Sequence, residues 1–102
     1  MMNVYVNRRG VAAPELSAVM TGSFTSIGTL LETPDKIIFD NHGTVDVAIS
    51  VDGGTTTWKT FSAGEALVLD KIEAWPFQKG TVFYGNGASG TFRISYIYPY
   101  NS

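Results

Sequence analysis

The stretch Val45-Asp46-Val47-Ala48-Ile49-Ser50-Val51-Asp52-Gly53-Gly54-Thr55-Thr56-Thr57-Trp58-Lys59-Thr60-Phe61 decides the fold. Val45, Val47, Ile49 and Val51 alternate with Asp46, Ala48 and Ser50, a period of two that sets four β-branched residues on one face of a half-buried strand. At Asp52-Gly53-Gly54 the glycines take positive φ without a Cβ penalty, and Thr55 to Phe61 then return to β-favouring chemistry. Strand, turn and strand make a hairpin.

Working outward, Lys36-Ile37-Ile38-Phe39 is a further apolar run closed by Asp40-Asn41-His42-Gly43, a turn composition that predicts a second hairpin into the 45–51 strand. Ser62-Ala63-Gly64-Glu65 is the next break. Ala66 to Leu69 is too short for a stable helix and reads as a strand with Leu67 and Leu69 on one face. Gly80 to Tyr84 is another strand and Gly85 to Gly90 a hairpin loop. Thr91 to Tyr98 is the last strand, with Phe92, Ile94, Tyr96 and Tyr98 on one face and Pro99 as its stop. Ser23 to Leu30 is a weaker strand in which Phe24 and Ile27 fall out of parity, as a bulge or an edge position would allow.

Residues 1–22 lack an amphipathic pattern and are expected to form an arm, irregular or ordered by a partner chain, with residues 23–102 as one β domain. Asn3 to Asn7 have some strand character. About seven short strands at spacings of roughly 8 to 12 residues predict an all-β fold, an antiparallel β-sandwich or a jelly-roll-like domain.

Composition bounds what such a domain does. A chain of 102 residues with 44% apolar and 16% charged residues supports one core. Zero Cys excludes a disulfide scaffold, a thiolate zinc site and a cysteine nucleophile. Seven Lys and Arg against nine Asp and Glu provide no polybasic field, so neither nucleic acid nor an anionic membrane is an expected partner. No apolar run approaches the roughly 20 residues of a membrane span, and the Met-Met-Asn-Val start is unlike a signal peptide, so a soluble product of the cytoplasm is expected.

Candidate chemistry is sparse. His42, the single histidine, sits in a turn, where tolerance of positive φ explains it without catalysis. Asp40, Asp46 and Asp52 read as solvated residues that cap hairpins, because Asp52-Gly53-Gly54-Thr55 falls short of a calcium loop. Gly85, Gly87 and Gly90 match a dinucleotide fingerprint by spacing, yet they precede a strand where the fingerprint must open a helix. The late aromatic set of Trp75, Phe77, Phe83, Tyr84, Phe92, Tyr96, Tyr98 and Tyr100 reads as core plus intersubunit surface, with Trp75, Tyr98 and Tyr100 at the surface.

The order of these motifs resembles the small β-sandwich structural proteins of tailed bacteriophage virions. The likeness runs from Phe39-Asp40-Asn41 through Ser50-Val51-Asp52-Gly53-Gly54, Ala63-Gly64-Glu65, Leu67-Val68-Leu69-Asp70 and Lys79-Gly80-Thr81-Val82-Phe83 to Ala88-Ser89-Gly90 and Ile94-Ser95-Tyr96-Ile97-Tyr98. It spans about residues 37 to 98 and leaves the N-terminal 36 uncovered. What the resemblance implies is a virion component with no catalytic residues, cofactor or metal, made in the host cytoplasm. Its expected role is that of a capsid decoration protein that binds the major capsid protein or other virion proteins; a tail or neck accessory protein is the nearby alternative.

A cysteine-free, weakly charged β domain with an unpatterned arm suits repeated assembly as a homo-oligomer, expected as a trimer. Val4, Tyr5, Val6, Arg8 and Arg9 of the arm, with Trp75, Tyr98 and Tyr100, are the candidate partner interface. A different class of function is a carbohydrate-binding module with Trp58, Trp75 and neighbouring tyrosines as its platform. A hydrolase built on the carboxylates is disfavoured, since one histidine does not assemble a nucleophile, a base and an orienting group.

Overall fold

A computed structural model of the chain describes residues 15–70, 74 and 76–98. Among these are eight strands: β1 (Glu15–Val19), β2 (Thr25–Thr29), β3 (Lys36–Asn41), β4 (Val47–Ser50), β5 (Lys59–Phe61), β6 (Ala66–Leu69), β7 (Val82–Asn86) and β8 (Thr91–Ile97). All pairings are antiparallel, in two four-stranded sheets of order β1-β8-β3-β6 and β2-β7-β4-β5. The pairs β4 with β5, β3 with β6, β2 with β7 and β1 with β8 are nested about the β4–β5 hairpin. Such a nested ribbon, rolled so that successive pairs fall in opposite sheets, is a jelly roll.

The inward faces follow the period of two. Phe92, Ile94 and Tyr96 of β8, Ile37 and Phe39 of β3, and Val47 and Ile49 of β4 are all buried, as their alternation predicts. Val45 and Val51, expected on the same face, lie outside β4, and Val51 is exposed because the chain has already entered the β4–β5 turn. Phe39 lies at the centre of an aromatic cluster, with ring centroids 5.1 Å from Trp58 and 5.6 Å from both Phe61 and Phe83. The buried Tyr96 places its hydroxyl where it accepts a hydrogen bond from the Leu31 N–H at 3.2 Å, so the ring is buried without orphaning its oxygen.

Three features depart from the sequence reading. First, Glu15–Val19, inside the 1–22 stretch expected as an arm, is strand β1, which brings the count to eight. Leu16 and Ala18 pack partly buried against the core, and Leu16 fills the space beside Gly28, where a Cβ would lie 2.9 Å from its Cδ2. Gly28 also marks the bulge in edge strand β2, where the register with β7 shifts between Ser26 and Gly28. The parity mismatch in that segment is therefore resolved by both devices that allow it.

Second, the 40–43 turn is no hairpin, because β3 and β4 belong to opposite sheets. The His42 N–H extends the β3–β8 ladder to the Thr91 carbonyl at 3.0 Å, and the chain then crosses over. Asn41, only 1% exposed, holds the corner: its Nδ2 donates to the carbonyls of Val45, Phe61 and Ser62 at 2.8, 3.2 and 2.9 Å, and its Oδ1 accepts from the Gly43 N–H at 3.1 Å. Among the described residues no non-glycine takes positive φ, so side-chain hydrogen bonds make this turn. Likewise the 85–90 segment links β7 to β8 across the two sheets, and its Gly85 and Asn86 belong to β7. Gly90, at φ +88°, packs on Gly43 so closely that a Cβ would lie 2.9 Å from the Gly43 Cα.

Third, β5 begins at Lys59 rather than Thr55, because the β4–β5 turn captures the threonines. Ser50 Oγ accepts from the N–H groups of Asp52 and Gly54, and the Asp52 carboxylate accepts from the N–H and hydroxyl of Thr56. These local bonds compete with the ladder and win until the Trp58 N–H reaches the Ile49 carbonyl at 2.7 Å. No helix among the described residues is long and apolar enough to cross a membrane.

Candidate functional site

Successive connections in a jelly roll alternate between the two ends of the sandwich. The Asn41 corner and the Gly43–Gly90 contact lie at one end; the β2–β3, β4–β5 and β6–β7 connections lie at the other. At this second end the structure opens a groove of about 710 Å³, within the range usual for ligand sites. Trp58 and Asp52 come from the β4–β5 connection, Leu69 from β6, Phe77 and Thr81 from the segment before β7, and Tyr84 from the outward face of β7.

Local bonds fix each contributor. The Gly80 N–H donates to the Leu30 carbonyl and the Leu30 N–H to the Thr81 carbonyl, both at 2.8 Å, so the segment before β7 is laced to the β2–β3 connection. The Lys79 N–H adds a bond to Thr33 Oγ1 at 3.1 Å. Trp58 is 37% exposed, yet its ring is seated on the core: its centroid is 5.1 Å from Phe39 and, edge-on at 83°, 5.1 Å from Phe77. The indole is thus a rigid, partly open surface whose orientation the aromatic core dictates.

Asp52 is the charged group among the described residues that line the groove. The Ser50 hydroxyl at 2.6 Å, then the Thr56 hydroxyl and N–H, hold its pKa down at about 2 against an ordinary 3.8. It is therefore an anion throughout the physiological range. A carboxylate whose folded pKa is depressed adds stability above its unfolded pKa and loses it as pH falls through the folded one. Equilibrium urea unfolding across acid pH should therefore show stability declining between about pH 4 and pH 2, and Asp52→Asn should flatten that decline. Equal slopes for the two proteins would remove Asp52 from the acid response. Glu65 acts in the same direction at the opposite end, lowered first by the Ser62 N–H at 2.8 Å and then by Lys59.

The residues singled out from sequence fall unevenly. Val4, Tyr5, Val6, Arg8, Arg9, Trp75 and Tyr100 lie outside the described residues. Tyr98 is half-buried, its ring 6.4 Å from that of Tyr96 and packed against the core. His42 is exposed with Nδ1 3.2 Å from Asp40 Oδ2. Gly85 and Gly87 are buried against Met20, Ile27 and Val47 and act as spacers between packed side chains. Among the described residues, no three of His, Cys, Asp and Glu are grouped to hold a metal ion. Of the platform expected around Trp58, the structure brings Tyr84 to the groove, together with Leu69 and Asp52, which sequence reasoning did not associate with it. Tyr84, which the sequence reading did not separate from the core members of the late aromatic set, faces outward on β7; Leu69 was not legible either, because it joins the groove only through the stacking of the two sheets. Comparison of the chain with protein-family models, with curated proteins and with solved structures returns no significant match to any of them.

Proposed function

We propose that this chain is a structural protein of a bacteriophage virion, a capsid decoration protein that assembles as a homo-oligomer, a trimer, on the major capsid protein lattice. The observation that carries the reading is the strand order β1-β8-β3-β6 over β2-β7-β4-β5, the jelly roll used by viral capsid domains. Lectins and cupins share this roll, and the order of loop motifs from Phe39 to Tyr98 is what turns the reading toward the virion. The outer face of the β1-β8-β3-β6 sheet supports it further. There Val68 is 45% exposed on edge strand β6 and registers with Ile38 on β3, an apolar pair suited to burial by a neighbour. A subunit that buries such surface against the assembled lattice more tightly than against free capsid protein stabilises the shell by mass action.

Sedimentation of the purified chain should give about three times the monomer mass of 11.0 kDa, and antibody raised against it should label purified phage particles at regular capsid positions. Deleting residues 2–10, which removes Val4, Tyr5, Val6, Arg8 and Arg9, should lower particle occupancy. A monomer missing from washed particles would overturn the proposal.

A further inference from the structure

The assembly role proposed above makes no use of the groove at the β4–β5 end, whose lining has a chemistry of its own. Trp58 and Tyr84 each present an aromatic ring, and among the described residues neither the indole N–H nor the phenol hydroxyl has a hydrogen-bond partner in the protein. On an open groove these two groups are donors that a ligand's oxygens can take up in place of water. Beside them stands Asp52, ionised, whose Oδ1 takes Ser50 and Thr56 while Oδ2 takes the Thr56 hydroxyl and keeps acceptor capacity for a further donor. Leu69 and Phe77 make the remaining wall apolar.

We infer that this groove binds a neutral saccharide, its apolar pyranose face stacked on Trp58 and its hydroxyls bonded to Tyr84, the indole N–H and Asp52. A pyranose matches these demands because it carries C–H groups on one face and both donors and acceptors around its rim. Charge sets the selectivity. Among the described lining residues Asp52 is the charged group, and none carries a guanidinium or ammonium, so this wall repels a phosphate, sulfate or uronate and favours a neutral ligand. The rigid seat of Trp58 on Phe39 and Phe77 means that little ordering is lost on binding. Neither oligomer number nor virion location enters this inference, so it stands or falls separately from the assembly role.

The test titrates the full chain with maltotriose, cellotriose, chitotriose and mannotriose, and with a hyaluronan oligosaccharide as the acidic counterpart, read by tryptophan emission and by calorimetry. At least one neutral trisaccharide should bind saturably below about 10 mM, and Trp58→Ala should weaken it about tenfold or more. Tyr84→Phe keeps the ring and removes only the hydroxyl, so it should fold as the parent does and weaken binding several-fold. Val19→Ser, on the strand at the far edge of its sheet from Leu69, should bind unchanged. The inference is overturned if no neutral trisaccharide binds, if the hyaluronan fragment binds as well, or if Tyr84→Phe binds like the parent. It is also overturned if Trp58→Ala dissociates the oligomer, since a second copy would then occupy the groove.

Discussion

Asn41→Ala is expected to lose about 3 kcal/mol of stability, a large share of the 5 to 15 kcal/mol typical of a domain this size. The side chain stands where β3 leaves one sheet for the other, and it serves the backbone of three segments at once. Its two Nδ2 hydrogens reach three carbonyls, so one is shared, and the Phe61 contact at 3.2 Å is the longest of the set. Alanine removes both hydrogens and the Oδ1 acceptor for Gly43, leaving the buried Phe61 bond without a donor and the partly buried Val45 and Ser62 carbonyls dependent on entering water.

Asn41→Asp sharpens the case because it keeps the shape and reverses the chemistry. An ionised carboxylate facing three carbonyl oxygens is repelled, so its folded pKa rises above the ordinary value of about 3.9. The folded state then holds a proton that the unfolded state releases, and stability falls as pH rises through that interval. Urea unfolding should therefore find the aspartate variant weaker at pH 7 than at pH 4, while the alanine variant carries no such dependence beyond that of the parent. Midpoints for Asn41→Ala within about 0.3 M of the parent, given slopes of roughly 1 to 3 kcal/mol/M, would show that water replaces the side chain fully.

Asn41 also marks the boundary of what is legible in the sequence. Period-two alternation is a local property, so β8 and the Val47 and Ile49 positions of β4 were readable, although Val45 and Val51 fall outside that strand and Ser50 is buried against the expected parity. Even the bulge at Gly28 showed itself as broken parity between Phe24 and Ile27. Connection between sheets is not local. Asp40-Asn41-His42-Gly43 has the composition of a hairpin turn, and nothing within those four residues distinguishes a turn that returns to its own sheet from a corner that leaves it. The distinction lies in Val45, Phe61 and Ser62, which supply the carbonyls. The same reason hides β1: Leu16 and Ala18 are too small a pattern to announce a strand, and Leu16 gains its meaning only against Gly28. For the groove, Trp58 was visible as an aromatic platform, but the pairing of Asp52 with Tyr84 and Leu69 needed both sheets in place. Thr55 to Thr57 have strand propensity and still form loop, because Asp52 accepts from the N–H groups of Thr55 and Thr56 and from the Thr56 hydroxyl, while Ser50 holds the Gly54 N–H before them.

Phe39→Ala should cost about 3 to 5 kcal/mol, the range for a buried phenylalanine truncated to alanine, and the loss should extend beyond the core into the groove. Phe39 is fully buried and touches Trp58, Phe61, Phe77 and Phe83; Trp58 and Phe77 line the groove, and Phe61 also meets the indole. Removing the ring leaves a cavity that the stiff β-sheet backbone on either side closes only in part, so neighbouring aromatics lose contact along with the lost transfer energy. Trp58 has the least to hold it, being partly exposed already. Its emission should shift to the red and its near-ultraviolet dichroism should weaken, under conditions where far-ultraviolet dichroism shows the sandwich still folded. Thermal unfolding should drop by about 15 °C or more, at roughly 4 to 8 °C per kcal/mol for a chain near this length. Phe39→Leu refills much of the space and should restore over half of the stability, but without the flat ring beneath it the indole should remain loosened. If instead both variants leave Trp58 emission unchanged, the indole is held by Phe77 and Phe61 alone. The rigidity of the groove would then come from the β6–β7 segment and β5 rather than from the centre of the core.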